Sequence, residues 1–113
     1  MKKTKILIPV YNDWKSVFKL LENIDMQLYG WNADVSVIII NDGSKEEMPI
    51  NTLSFNRLKS IQIINIKKNI GHARCIAIGL KYISEKEDFD YIIPMDGDGE
   101  DRPEELGFLI CEG

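Results

Sequence analysis

The sequence predicts an α/β domain, a parallel sheet of about four short strands with helices packed on its faces. Three observations lead there. Four short runs rich in Ile and Val recur along the chain. Amphipathic helical patterns lie between them, and a polar cluster follows each run. Strand–helix–strand alternation implies right-handed crossovers and hence a parallel sheet with both faces covered. At 113 residues the chain is expected to be one domain, 1–113. A chain of that length buries roughly two-thirds of the surface its unfolded form exposes.

The four runs are Lys5 to Val10, Val35 to Ile40, Ile61 to Ile66 and Tyr91 to Met95, each too short for a helix. The second, VSVIII, is almost continuously apolar, as befits a strand buried on both sides. After the first run, Trp14, Val17, Phe18, Leu21, Ile24 and Leu28 recur at three- and four-residue steps, with Lys15, Lys19, Glu22 and Asp25 off the stripe. Asn12 or Asp13 can cap the start of this helix and Gly30 can end it. Lys45 to Lys59 alternates irregularly around Pro49 and reads as a loop with a short helix. A further helix is predicted from about Gly71 to Glu85, with Ala73, Ile76, Ala77, Leu80 and Ile83 on its apolar face. The last should start at Pro103, a favourable first-turn residue followed by Glu104 and Glu105. Pro94 cannot donate to a ladder, so its strand is expected at an edge or with a bulge before Met95.

Bulk properties narrow the function. A hydrophobic fraction of 44% and a charged fraction of 28% are ordinary globular values. The net charge of −4 argues against a nucleic-acid partner. The apolar run Ile6 to Val10 is too short for a secretory signal, and nothing approaches the roughly 20 apolar residues that span a bilayer. Cys75 and Cys111 lack metal-ligand spacing and read as idle thiols. These features favour the cytoplasm.

The polar clusters carry the functional signal: Tyr11-Asn12-Asp13, Asn41 to Ser44, Asn69 to Arg74, and Asp96 to Asp101. In a parallel sheet all strand carboxyl ends share one edge, so the four converge on one crevice. In the last, Asp96 and Asp98 flank Gly97, with Glu100 beyond Gly99. Carboxylates this close repel one another unless a cation sits among them, and hard oxygen ligands suit Mg²⁺ or Mn²⁺ completed by substrate phosphates. The glycines let backbone approach a ligand closely. A calcium loop of the EF-hand kind would need Gly where Asp101 stands and Glu where Gly107 stands. A phosphatase with an Asp nucleophile, of the haloacid dehalogenase type, is a weaker match, because it usually carries Thr or Val at the position of Glu100. No GxGxxG or GxxxxGK[ST] phosphate loop is present, so the metal must hold the phosphates, with Arg74 near a helix N-terminus as a helper.

IPVYND (Ile8 to Asp13), INDGS (Ile40 to Ser44), NIGHARCIAIGL (Asn69 to Leu80) and MDGDGEDRPEE (Met95 to Glu105) resemble, in this order and spacing, the N-terminal half of family 2 glycosyltransferases. The likeness runs most to the dolichol-phosphate-mannose-synthase-like branch. It implies a Rossmann-like nucleotide-diphospho-sugar transferase fold of the A type, truncated after its donor-binding half. Tyr11 would lie against the base, Pro9 would shape the turn and Asp13 would sit near the nucleoside. Asp42 would accept a hydrogen bond from the base, in a pocket lined by Ile40. Asp96, Gly97 and Asp98 would form the metal and diphosphate site, with Glu100 as a further ligand where relatives commonly carry Gln. His72 and Arg74 fall in the loop after the third strand. The donor would be a UDP- or GDP-linked sugar and the acceptor a lipid phosphate or a saccharide. The catalytic base is expected beyond Gly113, and a seat at the cytoplasmic face of a membrane is an expectation for the longer protein. A non-catalytic nucleotide-binding module is the alternative.

Overall fold

The structure is a computed structural model that describes residues 3–28, 34–45 and 58–95. In chain order these form β1 (Lys3–Val10), α1 (Trp14–Gln27), β2 (Asp34–Asp42), β3 (Ser60–Ile66), α2 (His72–Lys86) and β4 (Tyr91–Pro94). The strands make a four-stranded sheet in the order β3-β2-β1-β4, and every neighbouring pair is parallel. The predicted α/β class and parallel sheet are therefore present. The Gly30 stop, the 46–57 stretch and the helix at Pro103 lie outside the described residues.

Alternation along the central strands explains why they read as unbroken apolar runs. Ile6, Ile8 and Val10 of β1 and Val35, Val37 and Ile39 of β2 pack beneath α1. Leu7, Ile38 and Ile40 point to the other face, where Cys75 and Ile83 of α2 cover them. The side chain of Asp13 caps α1 by accepting from Ser16 N at 3.4 Å. Inside that helix Trp14 and Phe18 stack with ring centroids 6.3 Å apart.

Both helices correct the periodicity reading in one respect. Asp25, expected on the solvent side of α1, is buried, and its Oδ1 accepts a hydrogen bond from Leu58 N at 3.0 Å. It anchors the chain entering β3. Asp25→Ala would leave that buried amide unpaired at a cost of about 1–3 kcal/mol. A lowered urea midpoint with unchanged slope is the expected result. On α2 the buried stripe is Cys75, Gly79 and Ile83, while Ala73, Ala77 and Leu80 face outward. The reason is steric. A Cβ on Gly79 would lie 2.4 Å from Leu7 Cδ1, so the helix rests on the sheet at a distance that only Gly permits.

The two strand prolines cost no hydrogen bond within this framework. Met95 N donates to Leu7 O at 2.9 Å, and Leu7 is the register partner of Pro94. Backbone groups alternate along a strand, so Pro94 turns its nitrogen to the outer edge of β4. By the same alternation Pro9 faces the β4 side of β1, past the last paired position of β4.

Candidate functional site

The carboxyl ends of β1 and β2 are tied together by side chains from the turns that follow them. Asn12 adopts a positive φ of 64°, an uncommon conformation outside glycine. It is held there from both sides: its backbone N–H donates to Ser44 Oγ at 2.8 Å, and its Oδ1 accepts from Lys45 N at 2.7 Å. Asn41 closes the turn after β2 by accepting from Ser44 N at 3.1 Å. Its Nδ2 donates to Asn65 Oδ1 at 2.9 Å, linking β2 to the end of β3.

Asp42 ties β2 to α2. Its side chain is fully buried, and its two carboxylate oxygens accept from the backbone of Ile70 at 2.7 Å and Gly71 at 2.9 Å. Asn69 Nδ2 donates to its carbonyl at 3.3 Å. Gly71, at φ +94°, caps α2 without a side chain, so Asp42 supplies from a distant strand the negative charge that a helix start favours. One turn into the helix the Cys75 thiol lies within electrostatic reach of this carboxylate. Burial first, and then Asp42, push that thiol up to about 12, which keeps it neutral and unreactive at physiological pH. Gly43, at φ +67°, completes the junction: a Cβ there would lie 2.7 Å from Asn69 N and 2.8 Å from the Lys68 carbonyl carbon.

Three of the four sequence clusters thus meet at one sheet edge. β4 runs beside β1 toward that same edge and ends at the buried Met95, immediately before Asp96 in the sequence. Asp96, Gly97, Asp98 and Glu100 lie outside the described residues. No group of three or more His, Cys, Asp or Glu side chains able to hold a metal occurs among the described residues.

The other candidates divide into surface and core. Tyr11 is 37% exposed just past β1, Asp13 is exposed at the helix cap, and Arg74 is exposed in the first turn of α2 with His72 beside the helix start. Pro9 and Ile40 are register partners inside the sheet and are buried. The turn after β1 is accordingly shaped by Tyr11 to Asp13, with Asn12 as its pivot. The sequence reading offered Asn12 only as an alternative cap of α1 and gave Asn41, Ser44 and Asn65 no individual role, although Asn and Ser at strand ends are the residue types that bridge turns. A cavity of about 460 Å³ opens at the opposite edge of the sheet. There Lys3 pairs with Asp88, Lys5 with Glu87 at 3.9 Å, and Lys59 with Asp34 at 3.4 Å. Its charges satisfy one another, and it lies at the amino ends of the strands.

The family model for glycosyl transferase family 2 matches residues 5–110. The chain belongs to glycosyl transferase family 2. The match spans all six elements and the acidic cluster beyond β4. An uncharacterized protein of Methanocaldococcus jannaschii is 27% identical over 106 residues, which cover 92% of this chain and 44% of that protein. The chain therefore spans less than half the length of that relative. Members of family 2 use nucleotide-sugar donors and generally depend on a divalent metal. Among the described residues of this family 2 chain, no helix is long and apolar enough to cross a membrane.

Proposed function

We propose that this chain is the donor-binding part of a longer glycosyltransferase, holding a UDP- or GDP-linked sugar for transfer to a polyprenyl phosphate or a saccharide. The observation that carries this reading is the tying of the β1, β2 and β3–α2 turns into one edge, the edge toward which β4 runs before Asp96 follows in the sequence. The motif spacing of MDGDGEDRPEE supports the dolichol-phosphate-mannose-synthase-like branch, and with it a lipid-phosphate acceptor.

The donor set fits a hard divalent cation. Asp96, Asp98 and Glu100 offer only oxygen, sit within five residues and would repel one another without a positive charge. They would hold Mg²⁺ or Mn²⁺, which when bound stabilises charge on the departing diphosphate. Gly97 lets the backbone between the two aspartates approach the phosphates. Tyr11 supplies a ring for the base, Asp13 lies near the nucleoside, and Arg74 adds a cation at the start of α2. Asp42, with Ile40 beside it, forms the floor of the base pocket. A carboxylate has about four acceptor positions and two are taken by amides, which leaves lone pairs for a base N–H. Because the carboxylate is fully covered, that contact requires the β3–α2 loop to shift as nucleotide enters.

Calorimetry of UDP and GDP with Mn²⁺, repeated with chelator, tests the reading. Affinity should fall sharply when the metal is removed, and equal affinity in both conditions would contradict the role of the acidic cluster. Base recognition is tested separately through Tyr11. Base–aromatic stacking contributes roughly 1–3 kcal/mol. Tyr11→Ala should therefore weaken nucleotide binding by about five- to 150-fold while leaving Mn²⁺–pyrophosphate binding unchanged. Nucleotide affinity at the wild-type level would place the ring outside the base pocket.

A further inference from the structure

The net charge of −4 conceals a segregation of charge along the chain. From Met48 to Ser84 there is no Asp or Glu, but there are six cations: Arg57, Lys59, Lys67, Lys68, Arg74 and Lys81. All 18 carboxylates lie elsewhere. Lys59 is paired with Asp34. Lys67, Lys68, Arg74 and Lys81 are exposed and have no ion pair among the described residues.

The fold gathers these cations on one flank. Arg74, Ala77, Ile78 and Lys81 follow the i, i+3, i+4, i+7 spacing of a single helix face. That face is turned away from the Cys75–Gly79–Ile83 stripe that rests on the sheet, and all four residues are exposed. Ile78 is 40% exposed, and Leu80 on the flank of the face is 37% exposed. Lys67 and Lys68 extend the cationic surface beyond the helix start, in the loop that Asp42 and Gly43 hold against the end of β2. Glu85 ends the acid-free face at the far end of α2.

We propose that the β3–α2 loop and the outer face of α2 form a docking surface for an anionic lipid membrane. The charge is complementary to such a surface, and the composition suits headgroups better than nucleic acid. Three of the four cations are lysines on flexible stems, and the exposed residues between Arg74 and Lys81 on the helix are Ala77, Ile78 and Leu80. None of the exposed residues from Lys67 to Glu85 is a Phe, Tyr or Trp on which a base could stack. The start of α2 lies at the carboxyl edge of the sheet, so docking there would hold the crevice close to the bilayer. Arg74 borders the crevice and is shared with the donor reading, so the test rests on Lys67, Lys68 and Lys81, which that reading does not use.

The test is co-sedimentation of the full chain with phosphatidylcholine vesicles and with vesicles containing phosphatidylglycerol, at low and high salt. Binding should require the anionic lipid and be lost at high salt. Each cation near an anionic surface contributes about a five-fold gain in partitioning. Lys67→Gln with Lys68→Gln should therefore weaken binding about 25-fold, and Lys81→Gln about five-fold. Lys19→Gln, on the exposed side of α1 across the sheet, should have no effect. Melting curves and UDP titrations of the same variants check that fold and crevice are intact. The proposal is overturned by equal binding to both vesicle types, by no binding to either, or by equal losses in the Lys19 control. Preference for duplex DNA or RNA over anionic vesicles overturns it as well.

Discussion

Asp42→Ala should destabilise the domain by about 3–5 kcal/mol, a large share of the roughly 5–15 kcal/mol that holds a domain together. The substitution removes the acceptor of two hydrogen bonds, from the half-buried amides of Ile70 and Gly71, at a side chain that is itself fully buried. A hydrogen bond to a charged group contributes about 1.5–3 kcal/mol, and two such bonds are lost together. Asp42→Asn keeps the shape and one acceptor oxygen, so it should cost less than Asp42→Ala. Urea unfolding measures both losses. Hydrogen exchange should also show the amides of Ile70 and Gly71 losing protection before those of β1 and β2. A loss under about 1 kcal/mol for Asp42→Ala would mean that this carboxylate does not anchor the α2 start.

The second large effect is expected on binding and not on stability. Asp98→Asn should remove most of the Mn²⁺-dependent part of UDP and GDP affinity. Altering residues that merely orient metal ligands typically costs 10–100-fold, so replacing a ligand should cost about 100-fold or more. The melting temperature should hold or rise slightly, because one of two mutually repelling carboxylates has lost its charge. Titrations of the folded variant with nucleotide, with and without metal, measure the effect. Unfolding of Asp98→Asn would instead make the acidic cluster structural, and undiminished metal dependence would remove Asp98 from the ligand set.

These two aspartates differ in how far the sequence discloses them. Asp98 stands out because it is next to Gly97 and close to Asp96 and Glu100, a local density of charge that needs explanation wherever the chain goes. Asp42 also follows a strand, and the same logic pointed it at the ligand. Its partners are backbone amides 28 and 29 residues further on, and a backbone amide leaves no trace in a sequence. The Asn12–Ser44 and Asn41–Asn65 bonds were hidden for a related reason. The first joins two turns and the second the ends of two neighbouring strands, 32 and 24 positions apart, and only the register of β1, β2 and β3 sets them side by side.

By itself the sequence determined the α/β class, the four strands, the two helices between them and the family. These rest on short-range regularities: the near-continuous Ile and Val runs of strands buried on two faces, the 3.6-residue period of α1, and motifs in fixed order. Tertiary structure alone decided the strand order and which faces are buried. Periodicity ranks residues by apolar character, and so selected Ala73, Ala77 and Leu80 over Cys75 and Gly79. Packing ranks them by fit, and at Gly79 the fit is the absence of a side chain over Leu7. Asp25 likewise reads as solvent-facing until Leu58 N is found beside it. Polarity along a chain is a local property, whereas burial and hydrogen-bond partnership depend on what the fold brings from elsewhere.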